Sequence, residues 1–279
     1  MQEWQITWRD PGVGAVLEDI WRHRWLMNYV GDRALRKIYR RTVLGWLWLF
    51  INPLFPIAVR VLIFGALIGV SSDGIPYFLF LLCGTLVWDA FAVSLLWGTR
   101  ALEMNRGLID QVYAPRALLP IANMTPALLD MLIKSVVFAL AAGYYLARDQ
   151  RMYVRVGPGM WWAGAALLLV VAFAVALSYF TSIWGETGRD ARFALGQVLS
   201  VWHLVTPVLF PLSAVPSEYR AWVLLNPLAV MVETFKWGLF GVGEFLLVPF
   251  LATALEILLI MFCGLLYFAR AEARALDAR

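Results

Sequence analysis

Six stretches of this chain, residues 42–70, 75–99, 117–147, 156–185, 193–213 and 245–269, each run for 21 residues or more with at most two charged side chains. Bilayer hydrocarbon is about 30 Å thick and a helix rises 1.5 Å per residue, so about 20 apolar residues cross it. All six stretches meet that length, which a buried helix of a soluble core does not need. Hydrophobic residues make up 62% of the chain and charged residues 15%, against about 45–50% and 25% in soluble domains. These runs define an all-α integral membrane protein with six transmembrane helices and exclude an ordinary soluble globule.

Other classes fall on the same residues. The net charge of +4 is modest and the basic residues flank the apolar runs, so no soluble basic face exists for nucleic acid. Cys83 and Cys263 lie inside apolar runs, where a cysteine behaves as a small hydrophobe rather than a disulfide partner or metal ligand. His23 and His203 are too few for a histidine metal site, and no His/Cys/carboxylate cluster stands at ligand spacing. Residues 1–41 contain Glu3, Asp10, Glu18, Asp19 and Asp32 and lack the apolar run of a cleavable signal. The N-terminal region is therefore expected to stay on the protein.

Orientation follows from Lys and Arg. With six spans, 16 of them fall on one side (residues 1–41, 100–116, 189–192 and 270–279) and five on the other: Arg148, Arg151, Arg155, Arg220 and Lys236. Cytoplasmic loops carry the excess of positive charge, which places both termini in the cytoplasm. Segment 214–244 is short of a span and broken by Pro216, Pro227, Gly238, Gly241 and Gly243. A seventh span there would separate the termini, whereas re-entrant short helices keep them together. The charge count favours the re-entrant form on the outer side, where non-helical backbone must be buried in protein or line a wet cavity.

Ahead of the first run, Leu35, Ile38 and Thr42 fall on one helical face, and Arg33, Arg36, Lys37 and Arg40 largely on the other. Val13, Leu17, Ile20, Trp21 and Trp25 repeat the pattern earlier. Such a segment lies at the membrane surface as an amphipathic helix; a plain anchor and a partner-docking helix fit the periodicity equally.

A transporter needs an energy source. The lysine of a phosphate-binding loop follows glycine and precedes Ser or Thr, but Lys37, Lys134 and Lys236 follow Arg36, Ile133 and Phe235. If ATP drives this protein, the ATPase is another polypeptide. Ion coupling would require acidic groups within the bilayer, and Asp89, Asp130 and Glu256 are the candidates. Asp130 and Lys134 stand at i, i+4, where a structural ion pair is the simpler reading. Arg60 lies about 27 Å along its helix from Thr42 and is expected to reach the outer headgroups. Trp46, Trp48, Phe50, Phe55, Trp88, Phe91 and Trp97 offer rings that can stack on sugars, though aromatics also collect at membrane interfaces. Arginine outnumbers lysine 20 to 3, which suits bidentate phosphate binding.

The run Arg36-Lys37-Ile38-Tyr39-Arg40-Arg41-Thr42-Val43-Leu44-Gly45-Trp46-Leu47-Trp48, followed by Asn52-Pro53-Leu54, resembles the start of the first span in permease subunits of bacterial polysaccharide ABC exporters. Asn105-Arg106-Gly107-Leu108-Ile109 through Val112-Tyr113-Ala114-Pro115-Arg116 is similar to that family's cytoplasmic loop between spans two and three. Leu118-Leu119-Pro120, Arg189-Asp190, Thr206-Pro207-Val208 and Asn226-Pro227-Leu228 continue the likeness in order. The family exports O-antigen, capsule and teichoic acid. Phe210-Pro211-Leu212 with Val215-Pro216 and Tyr219 leans toward the capsule branch, whereas Thr42–Trp48 and Val112–Arg116 lean toward O-antigen and teichoic acid.

The resemblance implies a homodimeric channel in the bacterial inner membrane, served by two copies of a separate ABC ATPase that binds ATP and Mg. The cargo would be a lipid-linked polysaccharide, and this chain would hold no cofactor, metal or catalytic residue. By the same likeness, Arg100, Asn105, Leu108, Ile109, Tyr113 and Arg116 would belong to a coupling helix docking on the ATPase, with Arg189 and Asp190 at a second contact. Leu108 and Ile109 are apolar in a cytoplasmic loop, so a partner groove is their expected burial. Arg33, Arg36, Tyr39, Arg40 and Arg41 would receive the lipid-linked end, and Trp46, Trp48, Trp88, Thr206, Pro207, Asn226 and Pro227 would line the channel or its gate. The expected divisions are an N-terminal region with the interface helix (1–41), a permease domain (42–270) and a cytoplasmic tail (271–279). A membrane transferase on lipid-linked sugars and an ion-coupled transporter are the alternatives.

Overall fold

The structure, a computed structural model, describes residues 13–39, 47–109, 111 and 114–277, with side chains described at all of these except 37–39, 49, 187, 189 and 273–277. Among the described residues the regular elements are helices, and no strand occurs. Helices α1 (Val13–Arg22) and α2 (Trp25–Tyr39) precede the bundle. Helix α3 (Trp48–Arg60) holds Pro53 and Pro56 in its interior and widens into a π-helical turn, Val61–Leu67. Then come α4 (Tyr77–Thr99), the short α5 (Ala101–Met104), α6 (Arg106–Ile109) and α7 (Leu118–Ala122), and the long α8 (Thr125–Asp149) and α9 (Gly159–Thr187). Helices α10 (Arg189–Val205), α11 (Ser217–Val223), α12 (Pro227–Phe240) and α13 (Leu247–Asp277) complete the chain.

Helix α4 is apolar around its whole circumference and most of its residues are buried, as expected of a helix surrounded by others. It packs against α8 and α9, and α9 also carries α12 and α13. Water supplies no driving force between helices in lipid, so close approach and small side chains do that work. A Cβ on Gly238 would stand 2.6 Å from the Gly159 carbonyl oxygen, so α9 and α12 meet backbone to backbone. Gly264 on α13 approaches the Ala176 carbonyl of α9 in the same way, at 2.8 Å.

Five helical stretches are long and apolar enough to cross a membrane: Phe50–Leu67, Tyr77–Thr99, Leu118–Asp149, Gly159–Glu186 and Leu247–Glu272. They correspond to five of the six apolar runs. The run 193–213 differs, because its helix ends at Val205 and α10 has 17 residues, about 26 Å of rise. Pro207 disfavours helical backbone at the preceding residue, and Thr206 is extended (φ −97°, ψ 134°). Beyond it the apolar chain runs on without α-helix, through a 3-10 turn at Leu212–Ala214. Helices α11 and α12 are bent by 106° at their junction, and counted as one broken span they raise the total to six.

The connections gather at two opposite ends of the bundle. At one end Ser213 Oγ donates to Asp73 Oδ1 (2.7 Å), Tyr77 Oη to the Leu209 carbonyl (2.9 Å), and the Arg155 backbone N–H to the Leu239 carbonyl (2.7 Å). The other end holds α5, α6 and the α9–α10 junction, together with α1 and α2. Leu26, Val30 and Ala34 form the buried stripe of α2, and Gly31 between them leaves room for the Thr125 side chain at the start of α8. That stripe begins earlier than the Leu35, Ile38 and Thr42 face read from sequence. Leu35 is half-buried, while the Ile38 side chain and Thr42 lie outside the described residues. Leu17, Trp21, Trp25 and Tyr29 are exposed on α1 and α2.

Candidate functional site

The loop after α4 is tied to the rest of the bundle by charge pairs. Arg106 faces Glu186 at 3.9 Å and also donates to its carbonyl at 3.0 Å. Glu103 pairs with Arg192 on α10, and Arg116 reaches Glu272 on α13 at 3.8 Å. Asn105, 3% exposed, donates to the Ala101 carbonyl and so closes the turn between α5 and α6. Leu108 is buried at 8% exposure and Ile109 packs beside it against the same core. Leu108 is thus covered within the chain, while Ile109 remains half-buried. The faces the loop turns outward are those of Arg100, Arg106, Gly107 and Gln111, and Asp190 in the first turn of α10 is exposed as well. Tyr113 lies outside the described residues. Arg189 is placed in α10 by its backbone alone.

Arg33 and Arg36 are exposed on α2, and Arg36 Nε contacts Asp32 Oδ2 at 2.8 Å. Tyr39 ends the helix, with its side chain outside the described residues, as are Arg40, Arg41 and Trp46 entirely. The α2 surface therefore presents exposed arginine flanking its buried Leu26–Val30–Ala34 stripe.

Most residues assigned to the channel or gate converge where α10 stops. Because α10 ends at Val205, the carbonyls that a longer helix would occupy need other donors. Lys236 Nζ donates to the Pro207 carbonyl at 2.6 Å, lies 3.1 Å from Glu233 Oε1 and sits 4.0 Å above the Phe80 ring. Asn226 caps α12 by accepting from the Leu228 N–H (3.1 Å), with Pro227 at the first helical position, where a missing donor is harmless. The same amide donates to Thr206 Oγ1 and accepts from Trp202 Nε1, both at 2.9 Å. Trp88 stands edge-on to His203 with ring centroids 4.9 Å apart. Thr206 and Val208 are fully buried and Trp88 is 5% exposed, so within one chain this cluster is a packed joint. Sequence reasoning missed Trp202 and Lys236.

Trp48 belongs elsewhere. It lines a cavity of about 370 Å³ between α3, α4 and α8, together with Asn52, Arg60, Asp89, Trp97, Asp130 and Lys134. Lys134 lies between the two carboxylates: it contacts Asp89 Oδ2 on α4 and Asp130 Oδ2 on its own helix at 2.6 Å. Its side chain is 3% exposed, whereas those of Asp89 and Asp130 are 24% and 20% exposed. The pairing expected within α8 is therefore one half of a bridge between α4 and α8. Arg60 is turned into this cavity, unlike the outward reach expected from its position, and its charge joins the others in a low-dielectric wall. Glu256 does not join them; it lines a separate groove between α11 and α13.

An all-helical membrane bundle, with a broken penultimate hydrophobic segment and a charged, ion-paired loop between its second and third spans, is the architecture of a transporter's membrane subunit. The ABC-2 type transporter family matches residues 26–240, from α2 through the end of α12, and the chain belongs to that family. It is 27% identical over 223 residues to an O-antigen export system permease protein of Myxococcus xanthus, covering 79% of this chain and 82% of that protein. Against the polysialic acid transport protein of Escherichia coli it is 26% identical over 251 residues, covering 86% and 92%. A capsule polysaccharide export inner-membrane protein of Neisseria meningitidis is 25% identical over 230 residues, covering 76% and 79%.

Proposed function

We propose that this chain is the channel-forming subunit of an ATP-driven exporter that carries a lipid-linked polysaccharide, an O-antigen or capsular polymer, across the bacterial inner membrane. The observation that carries the reading is the likeness to permeases named for O-antigen, polysialic acid and capsule export, which extends over three quarters or more of the chain. Two copies of the chain enclose the conduit, and two copies of a separate ATPase bind ATP and Mg beneath it. The end of the bundle holding α5, α6 and the α9–α10 junction faces the cytoplasm with both termini, in keeping with the 16 to five distribution of basic residues.

On this reading the division is an N-terminal region 1–41, a permease domain 42–270 and a tail 271–279. Helices α1 and α2 lie at the inner surface, with Trp21, Trp25 and Tyr29 in the headgroup layer and Arg33, Arg36, Arg40 and Arg41 receiving the diphosphate of the lipid carrier. The α11–α12 pair is re-entrant from the outer side and gates the exit. The α5–α6 loop, with Arg100, Tyr113 and Arg116, and the α10 start at Arg189 and Asp190 meet the ATPase.

The test is deletion of the gene followed by complementation, with surface polymer measured by immunoblot, and copurification of the complemented chain with a P-loop ATPase. Lost surface polymer that returns on complementation, with the ATPase bound, is the expected result. Unchanged surface polymer in the deletion strain would refute export.

A further inference from the structure

The cavity between α3, α4 and α8 has a feature that ion pairing alone leaves without a role. Thr85 lines it, is 1% exposed, and its Oγ1 has no hydrogen-bond partner. A buried hydroxyl without a partner carries a desolvation cost, and this one faces the same space as two carboxylates and two indoles. Thr85, Asp89, Val93 and Trp97 follow one another at four-residue steps on α4, and therefore share one face. Asp130 and Lys134 do the same on α8.

Lys134 is the most buried of these groups and contacts both carboxylates, while Asp89 and Asp130 line the cavity with 24% and 20% of their side-chain surface exposed. Ionised carboxylates are acceptors only, so their free lone pairs require donors from a ligand. Formal charges of Arg60, Lys134, Asp89 and Asp130 cancel, which leaves no net attraction for an ion. Trp48 and Trp97 add flat apolar faces. Acceptors aimed at donors, a hydroxyl able to bond either way, flat rings and no net charge match a neutral, polyhydroxylated sugar ring. The volume is that of a small-ligand site. Trp97 lies near the α5 end of α4 and Thr85 beyond its midpoint, so the face climbs from one membrane surface to the interior.

We infer that the cavity lined by Asp89, Asp130, Lys134, Thr85, Trp48 and Trp97 is a binding subsite for uncharged sugar residues of the exported chain. This rests on the export reading above and adds a selection: hydroxyl donors are accepted, and a carboxylate-bearing sugar would lose its hydration with no net positive charge in the cavity to offset the cost.

Thr85→Val is the decisive variant, because it removes a hydroxyl that bonds nothing in the protein and keeps the shape of the side chain. Export is expected to fall about two- to tenfold, the value of one hydrogen bond to the ligand, with unchanged membrane content and melting temperature. A second measurement uses the purified permease–ATPase complex in lipid nanodiscs, with Val93→Cys in a Cys83→Ala, Cys263→Ala background. Maltohexaose should slow labelling of Cys at 93 by a small thiosulfonate reagent several-fold, and hexagalacturonate should not. Wild-type export by Thr85→Val, or a loss that tracks a lowered melting temperature, overturns the subsite. Equal protection by both probes overturns its preference for uncharged sugars. If removing the whole chain leaves surface polymer unchanged, the export reading is what fails, and the labelling comparison still decides the cavity.

Discussion

Trp202 Nε1 donates to Asn226 Oδ1 at 2.9 Å, joining the last turn of α10 to the N-cap of α12 across 24 positions of chain. The Asn226 amide also bonds Thr206 Oγ1, whose hydroxyl donates to the Trp202 carbonyl at 2.8 Å. The place where the helix fails is therefore the place where the next one is fastened. Asn226→Ala removes the cap of α12, worth about 1 kcal/mol, and strands the half-buried Trp202 donor for about 1 kcal/mol more. Melting of the purified permease should drop by several degrees. Asn226→Asp, which keeps both acceptor roles, should lose less, and equal losses would show that the indole bond is not the source.

Variants in the loop after α4 should separate fold from docking. Leu108→Asp places a charge in the core and should cost about 3 kcal/mol or more, seen as loss of folded permease from the membrane. Arg106→Glu removes an exposed pair with Glu186 and should change stability by no more than about 0.5 kcal/mol, while copurification of the ATPase weakens. Full ATPase retention by Arg106→Glu would take that face out of the contact.

Lys134 should prove indispensable alone and dispensable in company. Lys134→Met leaves two carboxylates facing each other in the membrane interior, at a cost of about 3–5 kcal/mol. Adding Asp89→Asn leaves Asp130 to balance Arg60 in the cavity, and thermal melting should return to within about 2 kcal/mol of the parent. A double variant as unstable as the single one would mean that the lysine stem, not its charge, holds α4 to α8.

Arg33→Lys with Arg36→Lys keeps two positive charges and removes two planar donor forks. Export should fall while insertion and ATPase binding persist, because a diphosphate accepts paired N–H donors. Retained export, with loss only for neutral replacements, would assign these arginines to attraction of anionic lipid.

Single cysteines at positions 106, 189 and 274 should react with a membrane-impermeant thiol reagent only from the cytoplasmic side, and those at 73, 151 and 217 only from outside. Cys83 is buried and Cys263 exposed on α13, so both are first replaced by alanine. External labelling at 274 would reverse α13.

Span positions were legible because apolar length is a one-dimensional property: five of the six runs became long helices. The sixth became a helix of 17 residues rather than 21, since hydropathy does not register that Pro207 ends a helix at the residue before it. The segment 214–244 was read correctly as broken, from its own prolines and glycines, although no composition gives a 106° bend. At the cavity, Asp130 and Lys134 were readable as neighbours because four residues separate them. Asp89 is 45 positions from Lys134 and joins it only through packing of α4 on α8. Thr85 left a faint trace, four residues before Asp89 on an otherwise apolar helix. Leu108 was assigned to a partner because a short loop segment does not reveal which of its faces the bundle will cover.

The contact between Gly159 and Gly238 fixes how closely α12 can lie on α9. With no side chain between them, any larger residue at either position would prise the two helices apart. That anchorage belongs to α12 alone: α11, seven residues long, meets it at a 106° bend. On the export reading, α11 is therefore the half of the pair that the glycine contact leaves unpinned.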